Sequence, residues 1–348
     1  MKAAIFKGKE KIKVEDVPKP KIGSDEVLLK VKTCSICGTD RKIYKFGHSK
    51  IAEGEERILG HEITGVIAET GENVEEYSTG MRVVVAPNVG CGHCHLCRRG
   101  LEQLCADYNA FGISWPGGFA EYVKIPASAV RRGNLVELPD KMSFEKASVL
   151  EPLACCYNAY EAMDIKPGDY IMIFGAGPMG ILHLVLNKFL GSGKAAVVDI
   201  DEQRLELSRY FGADYTFGND GELKDRVMEV TEGRGFDTVI TAAPVPVIQE
   251  QALELVATGG NICYFAGLPA GKEEIKFNSN TVHYKQLRVT GTTGASLKQF
   301  RRTVKLAESD KLDLQKIVTK KIRLEELETI FDKPEVFSEN VKIIVDYR

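Results

Sequence analysis

The sequence predicts an α/β protein of two domains, one β-rich and built from short strands, the other a doubly wound parallel sheet covered by helices. Three observations carry this. The chain has 348 residues, more than a single hydrophobic core usually serves. From residue 1 to about 150 it runs through short β-type segments separated by glycine, proline and charged turns. Beyond that point apolar runs alternate with helical segments, the rhythm of strands joined by crossover helices.

In order along the chain, MKAAIFK, EVLLKVK, ITGVIAE, MRVVVAP and FAEYVKI read as the strands of the first domain. Then YIMIF precedes a helix beginning near Met179, AAVVDI precedes DEQRLELSRYF, DTVITAA precedes VIQEQALELV, and NICYFAG follows. After about Thr290 the alternation stops. What remains is two helical stretches, Leu297 to Ser309 and Leu324 to Phe331, and a closing strand, KIIVDY. No internal repeat or low-complexity segment interrupts this order.

Composition narrows the function. Apolar residues make 44% and charged residues 27%, the balance of a globular protein rather than a disordered one. A formal net charge of -3 implies no polyanionic partner, so no nucleic acid. The first twenty residues lack an apolar stretch ending in a small-residue cleavage site, which points to an intracellular, cytoplasmic protein. The most apolar stretch, Ile171 to Leu190, is broken by glycines, Pro178, His183, Asn187 and Lys188, so no membrane span is expected. In a reducing compartment nine cysteines read as metal ligands or buried thiols rather than disulfides.

Four of those cysteines lie within GCGHCHLCRRGLEQLC, residues 90–105. Cys91, Cys94 and Cys97 are three apart and Cys105 follows eight later; tight turns of that spacing bring thiolates to one tetrahedral zinc. Gly90, Gly92 and Gly100 permit the backbone, Arg98 and Arg99 offset the thiolate charge, and His93 and His95 point outward. Four sulfurs leave zinc no open position, so this ion is expected to be structural.

Chemistry is expected at a second constellation. CSICGTD (34–40) and GHEITG (60–65) supply Cys37, His61 and Glu62, a mixed ligand set suited to a catalytic zinc with a vacant place. Cys34 competes with Cys37 for the thiolate role, and packed core residues are the alternative for the whole set. Glu151, in LEPLACC, is either a further carboxylate for this ion or a first-turn charge favourable to the helix dipole. Cys155 and Cys156 read as helix packing.

YIMIFGAGPMG sets Gly175, Gly177 and Gly180 in a GxGxxG pattern, with Pro178 and Met179 between the last two, at a strand-to-helix junction. There a helix N-terminus offers free N–H groups to a pyrophosphate, and glycines let the phosphates approach. Asp199, nineteen residues beyond Gly180, suits the ribose hydroxyls and repels a 2′-phosphate, which favours NAD over NADP. Arg204 either lies against the adenine or is a solvated helix residue.

With these residues assembled, the chain resembles the zinc-dependent medium-chain dehydrogenases over essentially its full length. Their motifs occur in order: CGTD with Cys37, GHE with His61 and Glu62, the cysteine lobe, the EP pair at Glu151, then the dinucleotide fingerprint. The resemblance implies a GroES-like catalytic domain from residues 1–153 and 291–348, carrying the zinc lobe at 90–105, with a Rossmann domain inserted at 154–290 and the active site in the cleft between them. It implies two zinc ions per chain, the catalytic one held by Cys37, His61, Glu62 and Glu151. It also implies NAD near Gly267, Leu268, Thr292 and Thr293, and a homotetramer or homodimer.

Glutamate after the histidine and the EPL run are most similar to the polyol (sorbitol-type) and threonine 3-dehydrogenases. Four positions depart from those groups. Lys42 stands where a proton-relay histidine is common, leaving His48 or solvent to serve; Gly294 and Ala295 replace the Arg-Tyr pair of sorbitol dehydrogenases; Asn88 replaces a histidine of threonine dehydrogenases. The expected activity is hydride transfer between NAD and a secondary alcohol of a small polyol or sugar-derived molecule, with Thr39 carrying the hydroxyl proton away. Oxidation of an amino-acid alcohol such as threonine is the alternative, and a non-catalytic zinc- and nucleotide-binding scaffold is a weaker one.

Overall fold

The computed structural model describes residues 1–347. The chain divides into two compact units, Met1–Ala154 with Ala295–Arg348, and Cys155–Gly294. The second boundary falls past Thr293 because the strand Arg288–Gly291 pairs in parallel with Val256–Tyr264, and the Asn158 side-chain amide donates to the Gly294 carbonyl at 2.9 Å. Thr292 and Thr293 therefore belong to the inserted unit.

In the first unit the main sheet runs Leu135–Glu137, Arg82–Val85, Glu62–Thr70, Val27–Ser35, Lys342–Asp346, Val318–Ile322, with Tyr122–Ile125 also pairing to Val27–Ser35. Val27–Ser35 reads VLLKVKTCS and is buried on both sides except at Lys30 and Lys32, because strands flank it and helical segments cover it. Its antiparallel register puts Glu62 opposite Ser35 and Ile344 opposite the same Ser35. The strand Lys342–Asp346 thereby lies on the other side of Val27–Ser35 from Glu62–Thr70, the strand that His61 immediately precedes. The core here gathers Val27, Leu29, Val31, Ile63, Ile67, Phe111, Phe119, Ile343 and Val345.

In the second unit every strand pair is parallel. The order is Tyr215–Gly218, Ala195–Asp199, Ile171–Phe174, Phe236–Thr241, Val256–Tyr264, Arg288–Gly291. In sequence terms that is third, second, first, fourth, fifth, sixth, the doubly wound Rossmann order. Side chains alternate across the sheet as strand geometry requires: Met172, Phe174, Ala196 and Val198 pack into one core, Ile171, Ile173, Ala195 and Val197 into the other. Both faces are covered, so these strands read as unbroken apolar runs. Among the described residues no helix is long and apolar enough to cross a membrane.

Candidate functional site

The helix Gly38–Phe46 starts at Cys37, whose extended backbone caps it. Asp40, fully buried, accepts the Cys37 N–H at 2.8 Å through Oδ2 and the Gly60 N–H at 3.1 Å through Oδ1. One carboxylate thus ties the loop that carries Cys37 to the loop that carries His61. Its Oδ1 also faces His61 Nδ1 at 3.6 Å, which leaves Nε2 to face a metal, the usual arrangement for a ligating histidine backed by a carboxylate.

The ligand atoms of Cys37, His61 and Glu62 all lie within 4.8 Å of one another. The Glu62 carboxylate is fixed by one oxygen: Lys342 Nζ donates to Oε1 at 2.6 Å and to the Ile36 carbonyl at 3.2 Å. Both side chains of the ion pair are almost completely buried. Glu62 Oε2 is buried with no hydrogen-bond partner, and an unsatisfied buried carboxylate oxygen is costly unless a cation takes it. A thiolate, an imidazole and one carboxylate oxygen make a donor set that suits zinc with a fourth position to spare.

Electrostatics agree with a cation here. Burial works against the charged His61 imidazole, yet the adjacent Asp40 and Cys37 hold its pKa well above 6.5. Lys342 behaves likewise: burial opposes its charge, while Glu62, Cys37 and Glu151 outweigh that and raise it. Glu151 stands in the first turn of Leu150–Met163 but falls outside the mutually close trio. Its charge is among those that raise Lys342. Cys34 is fully buried and its thiol is pushed well up by burial and by Asp40 and Glu62; of the two thiols it is Cys37 that lies close to the ligand atoms of His61 and Glu62. Thr39 sits half-buried two residues past Cys37. Lys42, one helical turn further, is exposed, and His48 is pulled below 6.5 by partial burial and Lys50.

The sulfurs of Cys91, Cys94, Cys97 and Cys105 lie within 4.8 Å of one another, and none of the four is in a disulfide. Cys91 and Cys97 are 4.0 Å apart and Cys94 and Cys105 3.8 Å; tetrahedral zinc with bonds of about 2.3 Å would set its sulfurs about 3.8 Å apart. Backbone N–H groups of His93 and Cys94 draw the Cys91 thiol down to about 6. At Gly90 a Cβ would stand 2.7 Å from Cys97 Sγ, so only glycine fits. Arg98 and Arg99 are exposed, and the basic side chain built into the lobe is Arg132, which donates to the Cys91 carbonyl.

In the second unit the fingerprint loop leaves the first strand beside the fourth, the switch point of the sheet, where nucleotides bind in such folds. The helix Pro178–Phe189 opens at Gly177 with no side-chain cap and no acidic residue in its first turn, so its N-terminal donors are free for an anion. A Cβ on Gly180 would lie 1.8 Å from the Gly175 carbonyl oxygen. Asp199 ends its strand with Oδ2 accepting the Ala176 N–H at 2.7 Å and Oδ1 the Asp201 N–H at 3.0 Å, an orientation fixed from both sides. Arg204 reaches back to the loop, its Nη1 3.3 Å from where a Gly177 Cβ would be, and is 3.9 Å from Asp201. Gly267 and Leu268 follow the fifth strand and Thr292 and Thr293 the sixth, at the same carboxyl edge as the loop. Cys156 packs by its thiol on the Met179 carbonyl.

Two known families match successive parts of the chain. Residues 23–140 match the alcohol dehydrogenase GroES-like domain and residues 178–309 the zinc-binding dehydrogenase family. The L-threonine 3-dehydrogenase of Pyrococcus abyssi is 36% identical over 328 residues, 93% of this chain and 90% of that protein. The chain belongs to the zinc-dependent medium-chain dehydrogenases. This dehydrogenase is also similar to the sorbitol dehydrogenase of Bacillus subtilis, with 31% identity over 99% of this chain and 97% of that one. A solved zinc-binding dehydrogenase from Sinorhizobium meliloti, bound to NADP, superposes with a TM-score of 0.87 at 30% identity, covering 99% of this chain and 98% of that one. The chain is accordingly an oxidoreductase of the zinc-dependent alcohol dehydrogenase family.

Sequence reasoning gave no role to Asp40, Lys342 or Arg132. Asp40 had a local signal, an acidic residue three places past a helix cap; Lys342 and Arg132 had none, because their partners are 280 and 41 residues away.

Proposed function

We propose that the protein oxidises a secondary alcohol of a small polyol or sugar-derived molecule with NAD, reversibly, using zinc held by Cys37, His61 and Glu62, and that a second zinc in the cysteine lobe is structural. The observation that carries this is the close trio of half-buried Cys37 with buried His61 and Glu62, one carboxylate oxygen of Glu62 being unpartnered. When bound, zinc supplies Lewis acidity toward the substrate oxygen and the nicotinamide accepts the hydride. The chain supplies the rest. Asp40 fixes the His61 ring and the two ligand loops, Thr39 takes the hydroxyl proton toward solvent, and the Pro178–Phe189 N-terminus with Gly175, Gly177 and Gly180 holds the pyrophosphate. Asp199 binds the ribose hydroxyls with lone pairs left over from its backbone bonds. Its charge supports NAD, because a 2′-phosphate would sit against a carboxylate.

Similarity to L-threonine 3-dehydrogenases supports a second reading, oxidation of an amino-acid alcohol. Threonine and sorbitol share a secondary hydroxyl beside a second polar group, and that feature is the substrate class proposed. One panel separates the readings: NADH formation from threonine, polyols, sugar acids and their phosphates, run in parallel with NADP. Faster turnover of threonine than of any polyol favours the second reading. Faster turnover with NADP than with NAD at equal subsaturating concentration defeats the role given to Asp199.

A further inference from the structure

We infer that Lys342 is a positioning residue that keeps Glu62 a one-oxygen metal ligand and so holds the fourth coordination place open for substrate. The inference rests on the zinc assignment made above and adds to it a residue from the far end of the chain.

The geometry is specific. A carboxylate has two oxygens and can close on a metal with both. With a thiolate and an imidazole already in place, a two-oxygen carboxylate would complete four-coordination and leave substrate no position. Here Oε1 is taken by Lys342 Nζ at 2.6 Å, while Oε2 is buried and unpartnered. Lys342 is itself held: its ammonium also donates to the Ile36 carbonyl, and the Ile36 N–H donates to the Ile343 carbonyl at 2.9 Å, which registers the last strand against the segment leading into Cys37. A lysine is seldom buried to this degree, 3% exposed, without a partner that requires it. Its position at the first residue of Lys342–Asp346 means that the closing strand contributes to the site as well as to the sheet.

The test replaces catalytic zinc by cobalt(II) in the intact protein and compares wild type with Lys342→Met and Lys342→Arg. Visible absorption of cobalt(II) is intense in four-coordinate sites and weakens as coordination number rises. Lys342→Met should keep the intensity of a four-coordinate site, bind the catalytic metal about tenfold or more weakly, and give a spectrum that no longer shifts on addition of substrate alcohol, while keeping lobe zinc. Lys342→Arg should restore most of the wild-type spectrum. A Lys342→Met spectrum that still shifts with substrate alcohol as wild type does, with metal affinity within about twofold of wild type, would overturn the inference while leaving the zinc assignment standing. Absence of any cobalt signal in wild type would overturn the zinc assignment instead. Should Lys342→Met not fold, a crystal structure of zinc-loaded wild type decides: one Glu62 oxygen on zinc and the other on Lys342 supports the inference, and both oxygens on zinc overturn it.

Discussion

Asp40→Asn is a change of one atom with a consequence that follows from the hydrogen bonds. Each oxygen of the Asp40 carboxylate accepts a backbone N–H, from Cys37 and from Gly60, and the side chain is fully buried. An asparagine has one acceptor and one donor end. Whichever way its amide turns, an NH2 group faces one of those N–H donors, and one buried backbone donor goes unsatisfied. That costs about 1–3 kcal/mol, concentrated on the two loops that present Cys37 and His61. At about 1.4 kcal/mol per tenfold, catalytic zinc should bind roughly 5- to 150-fold more weakly, in line with the 10- to 100-fold typical of groups that orient metal ligands. The assay is zinc retention against a graded chelator, followed together with turnover. Lobe zinc serves as the internal control, since Asp40 does not touch it. Retention of catalytic zinc within about twofold of wild type would refute the argument that Asp40 joins the two loops.

Other outcomes follow from the same structure. Gly180→Ala places a Cβ against the Gly175 carbonyl oxygen and should weaken NADH binding by more than about tenfold, a shift of about 1.4 kcal/mol, with metal content unchanged; near-normal fluorescence titration with NADH would count against the loop assignment. Cys97→Ser should lower the melting temperature through loss of structural zinc, whereas Cys37→Ser should abolish turnover with little loss of NADH binding. His183 is fully buried and burial holds its pKa down at about 3, against an ordinary value of 6.5. The unfolded chain therefore binds a proton that the folded chain refuses, so stability is lost as pH falls from 6.5 toward 3, at up to about 1.4 kcal/mol per pH unit. His183→Leu should flatten that slope in urea unfolding, and an unchanged slope would show that His183 is not its source.

What the sequence made legible was what is local. IMIF and AAVVD are apolar throughout because both sheet faces are covered, and GAGPMG lies between a strand and a helix start, so the nucleotide unit could be read directly. The spacing of Cys91, Cys94 and Cys97 encodes a turn, so the lobe could be too. Elements with weak local patterns were not visible. VTKKI, Val318–Ile322, alternates exposed Thr319 and Lys321 with half-buried Val318 and Lys320 because it is an edge strand. GTDRKIYKF buries only Asp40, Ile43 and Tyr44, and its helix was hidden inside what read as a metal motif. The expected helix from Leu324 to Phe331 is a 3-10 turn, Leu324–Glu326, leading into a single α turn, Leu327–Ile330. Lys342 reads as the polar first residue of a strand, and only the pairing of Ile344 with Ser35 brings it to Glu62.

The most direct measurement is an anomalous-difference map at the zinc edge from crystals of the zinc-loaded protein. The account predicts two peaks per chain, one among Cys91, Cys94, Cys97 and Cys105, and one bonded to Cys37, His61 and a single oxygen of Glu62. A lone peak in the cysteine lobe, with the second group empty in a protein that still turns over its alcohol, would contradict it.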